Sequence, residues 1–151
     1  TIRLRNAYCP DAKVCVLSNS TQIHRQSVHD ALMKVDDNIL KLDTVDSAYI
    51  HRVDRPAGNY DVNQIIERMK AFNGHVIIQT MFLRGDNMDN TTEKYIGPWL
   101  EAVKDIQPEK VMVYTIDRET PDKKLEKAPR EVLDAIKTRV EALGIPCTAS
   151  Y

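Results

Sequence analysis

Polar side chains able to hold a ligand recur at four places in this chain, each just past a short apolar stretch. They are Ser18-Asn19-Ser20, Lys41-Leu42-Asp43, Gln79-Thr80-Met81 and Tyr114-Thr115-Ile116-Asp117-Arg118. Hydroxyls, amides, one lysine and carboxylates in that pattern can orient a polar ligand and neutralise its charge. Lys41 and Asp43 are two residues apart, so on a strand both side chains point the same way. An ammonium and a carboxylate facing inward together lower the cost of burying either. By the same spacing Gln79 and Met81 share a face. Polar groups gathered at successive strand C-termini are how a parallel β/α protein assembles a site.

The elements that would position these groups follow from periodicity. Strands are expected at 13–18, 38–43, 75–83 and 110–116, with a short last strand at 145–149. The run Val76-Ile77-Ile78 suits a sheet buried on both faces. Between them, Val28, Leu32 and Val35 mark one face of a helix over 27–35, and Val62, Ile65, Ile66 and Met69 form the core-facing stripe of a helix beginning near Asp61. Gly74 is placed to end that helix. A third helix starts near Asn90 to Thr92, whose short polar side chains can cap free amides, and it buries Ile96, Trp99, Leu100 and Val103, with Pro98 in its first two turns. Pro129 opens a fourth helix running to Gly144. The stretch through Pro56, Gly58 and Asn59 reads as a polar loop. The fold class is therefore α/β, a partial TIM-type barrel fragment of four to five parallel strands each followed by a helix, with right-handed crossovers. One unit over residues 1–151 is the simplest division.

Composition narrows the function classes. At 42% hydrophobic and 28% charged residues with a net charge of -1, the chain reads as an ordinary globular protein. It lacks the clustered Lys and Arg of a general nucleic-acid binder. No apolar run approaches the roughly 20 residues of a membrane span, and the first residues have no signal-peptide core, so the cytoplasm is the default compartment and no membrane partner is expected. The three cysteines are scattered, and no C-x-x-C pair or Cys/His zinc spacing exists. Cys15 and Cys147 are expected as small buried strand residues, with Cys9 in a loop. His24 and His29 do not share a helix face as i and i+4 would, His51 is expected to face solvent, and His75 adds no ligand set, so no metal site is assigned. The Lys123, Lys124 and Lys127 cluster reads as a solvated loop.

The ordered set of strand ends resembles a known family. Val14-Cys15-Val16-Leu17-Ser18-Asn19-Ser20 with His24-Arg25, then Leu40-Lys41-Leu42-Asp43, Arg52-Val53-Asp54-Arg55-Pro56, Gln79-Thr80-Met81-Phe82-Leu83-Arg84-Gly85-Asp86-Asn87 and Tyr114-Thr115-Ile116-Asp117-Arg118 are similar to the second half of a radical SAM enzyme. The resemblance is to the iron-sulfur oxidoreductases related to wyosine synthesis and to glycyl-radical activating enzymes. It implies a (β/α)6 barrel, of which this chain would supply strands three to six. The C-x-x-x-C-x-x-C loop that holds a 4Fe-4S cluster and the Gly-Gly-Glu stretch that grips S-adenosylmethionine are absent from the sequence. An open half-barrel exposes sheet edges, so the missing N-terminal half of the same chain is the expected first partner. An electron donor such as flavodoxin or ferredoxin is the second, and the substrate, whether an RNA base, a protein glycine or a small molecule, is left open.

The same resemblance implies roles for individual residues. Lys41 and Asp43 match a polar pair that contacts the ribose or amino-acid portion of S-adenosylmethionine, and Gln79 matches a position near its carboxylate. Met81 would line the adenosyl pocket, and Gly85 and Asn87 fall where relatives approach adenine with backbone atoms. Asn19 and Ser20 would hydrogen-bond the cofactor, or Asn19 would simply shape the loop and cap the following helix. Arg55 and Arg118 stand on the substrate side, where a guanidinium can hold an anion bidentately. No catalytic step is assigned to a residue of this chain, which alone is expected to bind neither cluster nor S-adenosylmethionine and to be inert; both cofactors belong to the full-length protein. Two rivals remain at this point: a Schiff-base lyase using Lys41, which needs a lowered lysine pKa, and a binding domain without chemistry.

Overall fold

The protein is described by a computed structural model covering residues 1–86, 88–120 and 122–151. In chain order the elements are α1 (Ile2–Tyr8), β1 (Cys15–Ser18), α2 (Gln26–Leu32), β2 (Asp37–Lys41), α3 (Ser47–Val53), α4 (Val62–Lys70), β3 (Ile77–Met81), β4 (Leu83–Arg84), α5 (Glu93–Ile106), β5 (Lys110–Tyr114), β6 (Glu126–Lys127), α6 (Arg130–Glu141) and β7 (Cys147–Ser150). The α/β class and the parallel sheet are as expected. Five strands run in the order β1-β2-β3-β5-β7, every neighbouring pair parallel. A sheet whose spatial order follows the chain order, each step crossing through a helix, has the connectivity of a β/α barrel.

Alternation along the strands decides which side carries the core. Asn38 and Leu40 of β2, Ile78 and Thr80 of β3, and Val111 and Val113 of β5 are buried, whereas Lys41, Gln79, Met81, Met112 and Tyr114 are only half-buried. The buried row meets the helical stripes Val62, Ile65 and Met69, then Ile96, Trp99 and Val103, then Leu133, Ile136 and Val140. α4 packs on α5 and α5 on α6. The sheet is therefore asymmetric, and burial on both faces holds only for Val76-Ile77-Ile78.

Trp99 locks this layer to the strand ends. Its Nε1–H donates to the Leu42 carbonyl at 3.0 Å and to Thr80 Oγ1 at 3.1 Å, and Thr80 Oγ1–H donates to the same carbonyl at 2.8 Å. A buried indole N–H needs such a partner. Here the partner is the backbone between Lys41 and Asp43.

Several expectations are corrected. Cys15 is exposed, because β1 is an edge strand and Cys15 lies on its less covered side; Cys147 is buried and Cys9 exposed. The 75–83 strand breaks at Phe82, whose N–H donates to the Tyr114 carbonyl, after which Leu83–Arg84 leaves the sheet to pair antiparallel with Glu126–Lys127. The exposed basic cluster thus includes a two-residue strand. Helices α1 and α3 were not anticipated. The α1 helix buries no residue, so no apolar stripe announces it; Arg5 ties it down through Asp36 at 2.7 Å. Helix α3 hides inside a polar stretch, capped by the Asp46 carboxylate, which accepts the Tyr49 N–H at 2.7 Å, and anchored by only two buried residues, Tyr49 and Ile50. Helix α4 ends at Lys70, with Asn73 (φ +50°) and Gly74 (φ +88°) completing the turn beyond it. No helix among the described residues is long and apolar enough to cross a membrane.

Candidate functional site

The loop after β1 is fastened from within. Ser20 is fully buried with φ +68°; its N–H donates to Ser18 Oγ at 3.1 Å and its own hydroxyl donates to the Lys41 carbonyl at 3.0 Å. That hydroxyl joins β1 to the end of β2. Asn19 is exposed, and its Oδ1 accepts the N–H and the hydroxyl of Thr21 at 3.2 and 2.9 Å. This leaves the Asn19 amide N–H groups without a partner among the described residues.

At the end of β2 the ammonium of Lys41 meets Asp43 Oδ2 at 3.0 Å, while Asp43 Oδ1 accepts the Met81 N–H at 2.7 Å. The carboxylate is thus anchored to the end of β3. Burial alone would lower the Lys41 pKa, yet the Asp43 charge and hydrogen bond, helped by Tyr114, outweigh it and hold the amine above its ordinary value. A Schiff-base amine needs the opposite shift. The strand ends are further stapled by Asn90, which is buried; its Nδ2–H groups donate to the carbonyls of Met81 at 2.9 Å and Asp43 at 3.2 Å, and its Oδ1 accepts the Leu83 N–H at 2.9 Å. Asn90 therefore organises the site rather than capping α5, whose N-cap Thr92 makes no side-chain cap bond.

Opposite Lys41 and Asp43 stands the segment from the end of α3 to the first turns of α4, and between them lies a cleft of about 580 Å³. That volume falls within the range of small-molecule sites. Asn19, Lys41, Asp43 and Arg55 line it, joined by Asp54 and Tyr60. Asp54 is accessible from the cleft, but its carboxyl is hemmed by the walls; desolvation, then the Asp43 charge, push its pKa up to about 6 against a smaller lowering by Lys41. Desolvation and the same carboxylates push the Tyr60 phenol up to about 12. The site thus combines one fixed ion pair, one carboxyl poised near neutrality and one phenol that stays protonated.

The structure gathers some of the expected residues and separates others. Gln79 is the register neighbour of Lys41 on the half-covered face, and Met81 lies one step further along that face, next to Tyr114. Neither lines the cleft wall. Gly85 serves a close approach, but by protein: a Cβ there would sit 3.0 Å from the Leu125 side chain and 3.2 Å from the Lys124 carbonyl. Asn87 lies outside the described residues. Arg118 is exposed beyond β5 and does not line the cleft, while neighbouring Glu119 pairs with Lys123 at 2.9 Å. Sequence reasoning missed Asp54 and Tyr60 as cleft residues, although Asp54 belongs to the Arg52-to-Pro56 motif; the hidden signal was helix α3, which turns that motif toward β2.

Among the described residues no group of three or more His, Cys, Asp or Glu could hold a metal ion. His29 packs on Phe72 at 4.5 Å, and His75 Nε2 bonds to the Val35 carbonyl at 3.0 Å. The exposed Cys9 and Cys15 and the buried Cys147 do not make the thiolate set of an iron-sulfur cluster. The cleft, in contrast, suits a zwitterionic ligand with hydroxyls, since it offers an ammonium, carboxylates and amide donors side by side.

No family model matches the chain. It is 28% identical over 147 residues to a UPF0026 protein of Methanocaldococcus jannaschii, covering 89% of this chain and 45% of that protein. A UPF0026 protein of Helicobacter pylori is 30% identical over 110 residues, covering 70% and 34%. The chain thus spans less than half the length of these curated relatives. Among solved structures, a domain of pyruvate-formate lyase-activating enzyme from Bacteroides vulgatus superposes with a TM-score of 0.67 at 15% identity, over 91% of this chain and 82% of that one. SuiB of Streptococcus suis bound to S-adenosylmethionine gives 0.68 at 14% identity, over 92% and 33%. This chain has the fold shared by those two structures.

Proposed function

We propose that this chain is the second-half segment of a radical SAM iron-sulfur oxidoreductase and contributes the S-adenosylmethionine side of its barrel. The observation that carries the reading is the Lys41–Asp43 pair, locked to the end of β3 through Met81 and set on the wall of a cleft at the strand C-termini. The fold shared with radical SAM structures supports it. In this reading Asp43 and Lys41 meet the charged and hydroxyl groups of the cofactor. Gln79 and Met81 continue its seat along the half-covered face, and Asn19 adds an amide donor at the rim. Once reductively cleaved, S-adenosylmethionine supplies the radical that takes hydrogen from a substrate. The work of these residues is to bind, orient and exclude water. Cluster ligands would come from outside the 151 residues, and the electron from a flavodoxin- or ferredoxin-type donor.

Calorimetric titration of the full-length, cluster-loaded protein with S-adenosylmethionine tests the reading. Asp43→Ala and Gln79→Ala should each weaken binding by roughly ten- to a hundredfold, the loss expected for a hydrogen bond to a charged or polar ligand group. Unchanged affinity in both variants would show that the strand-end polar groups serve the fold alone.

A further inference from the structure

The cleft wall carries three cationic side chains, Lys41, Arg55 and Arg68, and three carboxylates, Asp43, Asp54 and Asp61, but they are not paired one to one. Asp54 stands on the wall without an ion-pair partner among the described residues, while the other two carboxylates already have an occupation: Asp43 is held by Lys41 and the Met81 N–H, and Asp61 caps α4, accepting the Asn63 N–H at 3.0 Å and the Gln64 amide at 3.1 Å. The guanidiniums do not. Arg55 and Arg68 both line the cleft, and neither has a carboxylate partner among the described residues. Neighbouring cations differ: Lys70 pairs with Glu67 at 2.9 Å, and Arg52 lies over the Tyr49 ring at 5.6 Å.

Arg55 is also held in place at a cost. Its φ of +46° puts a long side chain in the left-handed region, and the following Pro56 restricts it further. Its N–H donates to the Ile50 carbonyl at 3.1 Å and its Nε–H to the Arg52 carbonyl at 3.3 Å. Those bonds pin the backbone and one edge of the guanidinium while leaving the terminal N–H groups for the cleft. Strain of this kind persists where the surroundings enforce it, commonly at ligand clamps.

We infer that Arg55 and Arg68 form an oxyanion subsite at the outer part of the cleft, which holds a phosphate or carboxylate group of the substrate. The identity of the neighbouring ligand, at Lys41 and Asp43, rests on the cofactor reading above; the subsite itself does not. Two guanidiniums free of carboxylates match the planar, bidentate recognition of such groups. His24, from the loop between β1 and α2, also lines the cleft.

Calorimetry with inorganic pyrophosphate and, separately, with citrate tests this at pH 7 and low salt. Wild-type protein should bind at least one of them, and the stronger of the two identifies phosphate or carboxylate as the natural group. Arg55→Ala and Arg68→Ala should each weaken that binding by roughly tenfold or more, as loss of a charge-assisted hydrogen bond predicts. Arg3→Ala, which removes the same charge on α1, should leave it unchanged. S-adenosylmethionine affinity of the full-length, cluster-loaded protein should survive the Arg55 and Arg68 substitutions and fall with Asp43→Ala, so failure of the cofactor reading and failure of the subsite are read from different titrations. Absence of binding to both probes, or equal losses in the Arg3 variant, would overturn the subsite.

Discussion

The carboxylate of Asp43 reaches from the end of β2 to the backbone N–H of Met81 at 2.7 Å, so a side chain closes the ladder between two strands where their backbones part. The same carboxylate holds Lys41 at 3.0 Å. Its two roles are separable. Asp43→Ala leaves both the amide and the ammonium unsatisfied and should cost about 2–3 kcal/mol in urea unfolding at pH 7. Lys41→Met keeps the aliphatic stem and the Asp43–Met81 bond, and should cost less than half as much. Equal losses would show that the ion pair, not the backbone bond, joins the strand ends.

Asp54 predicts a pH dependence of definite sign. Its folded-state pKa of about 6 lies above the ordinary 3.8, so between those values the folded protein holds more protons than the unfolded chain. Its contribution is therefore close to neutral below about pH 4, becomes steadily more unfavourable as the pH rises from about 4 to 6, and is constant above; access to solvent screens part of the cost. Asp54→Asn should raise Tm relative to wild type at pH 7 and leave it nearly unchanged at pH 4. A carboxyl titration followed by NMR should show a midpoint near 6. A midpoint near 4 would place Asp54 in open solvent.

Asn90 and Asn38 offer a comparison of two buried amides. Asn90 is engaged at both ends by three backbone groups, whereas Asn38 donates once, to the His75 carbonyl at 3.0 Å, and its Oδ1 has no partner among the described residues. Removing Asn90 strands one N–H and two carbonyls. Asn90→Ala should cost about 3 kcal/mol or more, and Asn38→Ala closer to 1 kcal/mol. The reverse ranking, measured by urea midpoints, would mean that the strand-end staple is replaced by water.

Period-two and helical patterns carried the sheet and the helices α4, α5 and α6, because each of these buries a stripe that the sequence displays; α2 was read from the spacing of Val28 and Leu32, of which only Leu32 is buried. Lys41, Asp43 and Asn19, which line the cleft, were legible as strand-end polar groups for a related reason: a strand's C-terminus is marked by the change from apolar to polar. What failed was local. Helix α3 buries only Tyr49 and Ile50, too little for a stripe, so the Arg52-to-Pro56 motif read as loop and Asp54 was passed over. Ser20 read as a ligand donor because nothing in the sequence shows that its backbone turns at φ +68° and faces the hydroxyl inward. Gly85 invited the same error, since a missing Cβ signals a close approach without naming what approaches.

Gly85 and Gly58 should respond oppositely to the same substitution. At Gly85 an added methyl would meet the Leu125 side chain at 3.0 Å and the Lys124 backbone carbonyl at 3.2 Å, and the carbonyl cannot rotate away as a side chain can. The segment after Asp122 must then shift off β4, weakening the two-residue pairing of Leu83–Arg84 with Glu126–Lys127. Gly85→Ala should therefore destabilise by about 1–3 kcal/mol, the usual cost of overpacking. At Gly58 nothing lies within 4 Å of the added atom, and its φ is not in the left-handed region. Gly58→Ala should be neutral or stabilising by up to about 1 kcal/mol through the unfolded chain. Thermal unfolding of the two variants beside wild type checks both. If Gly85→Ala were as stable as Gly58→Ala, the Lys124–Leu125 backbone would not be held against β4, and the space beside Gly85 would be open to a ligand after all.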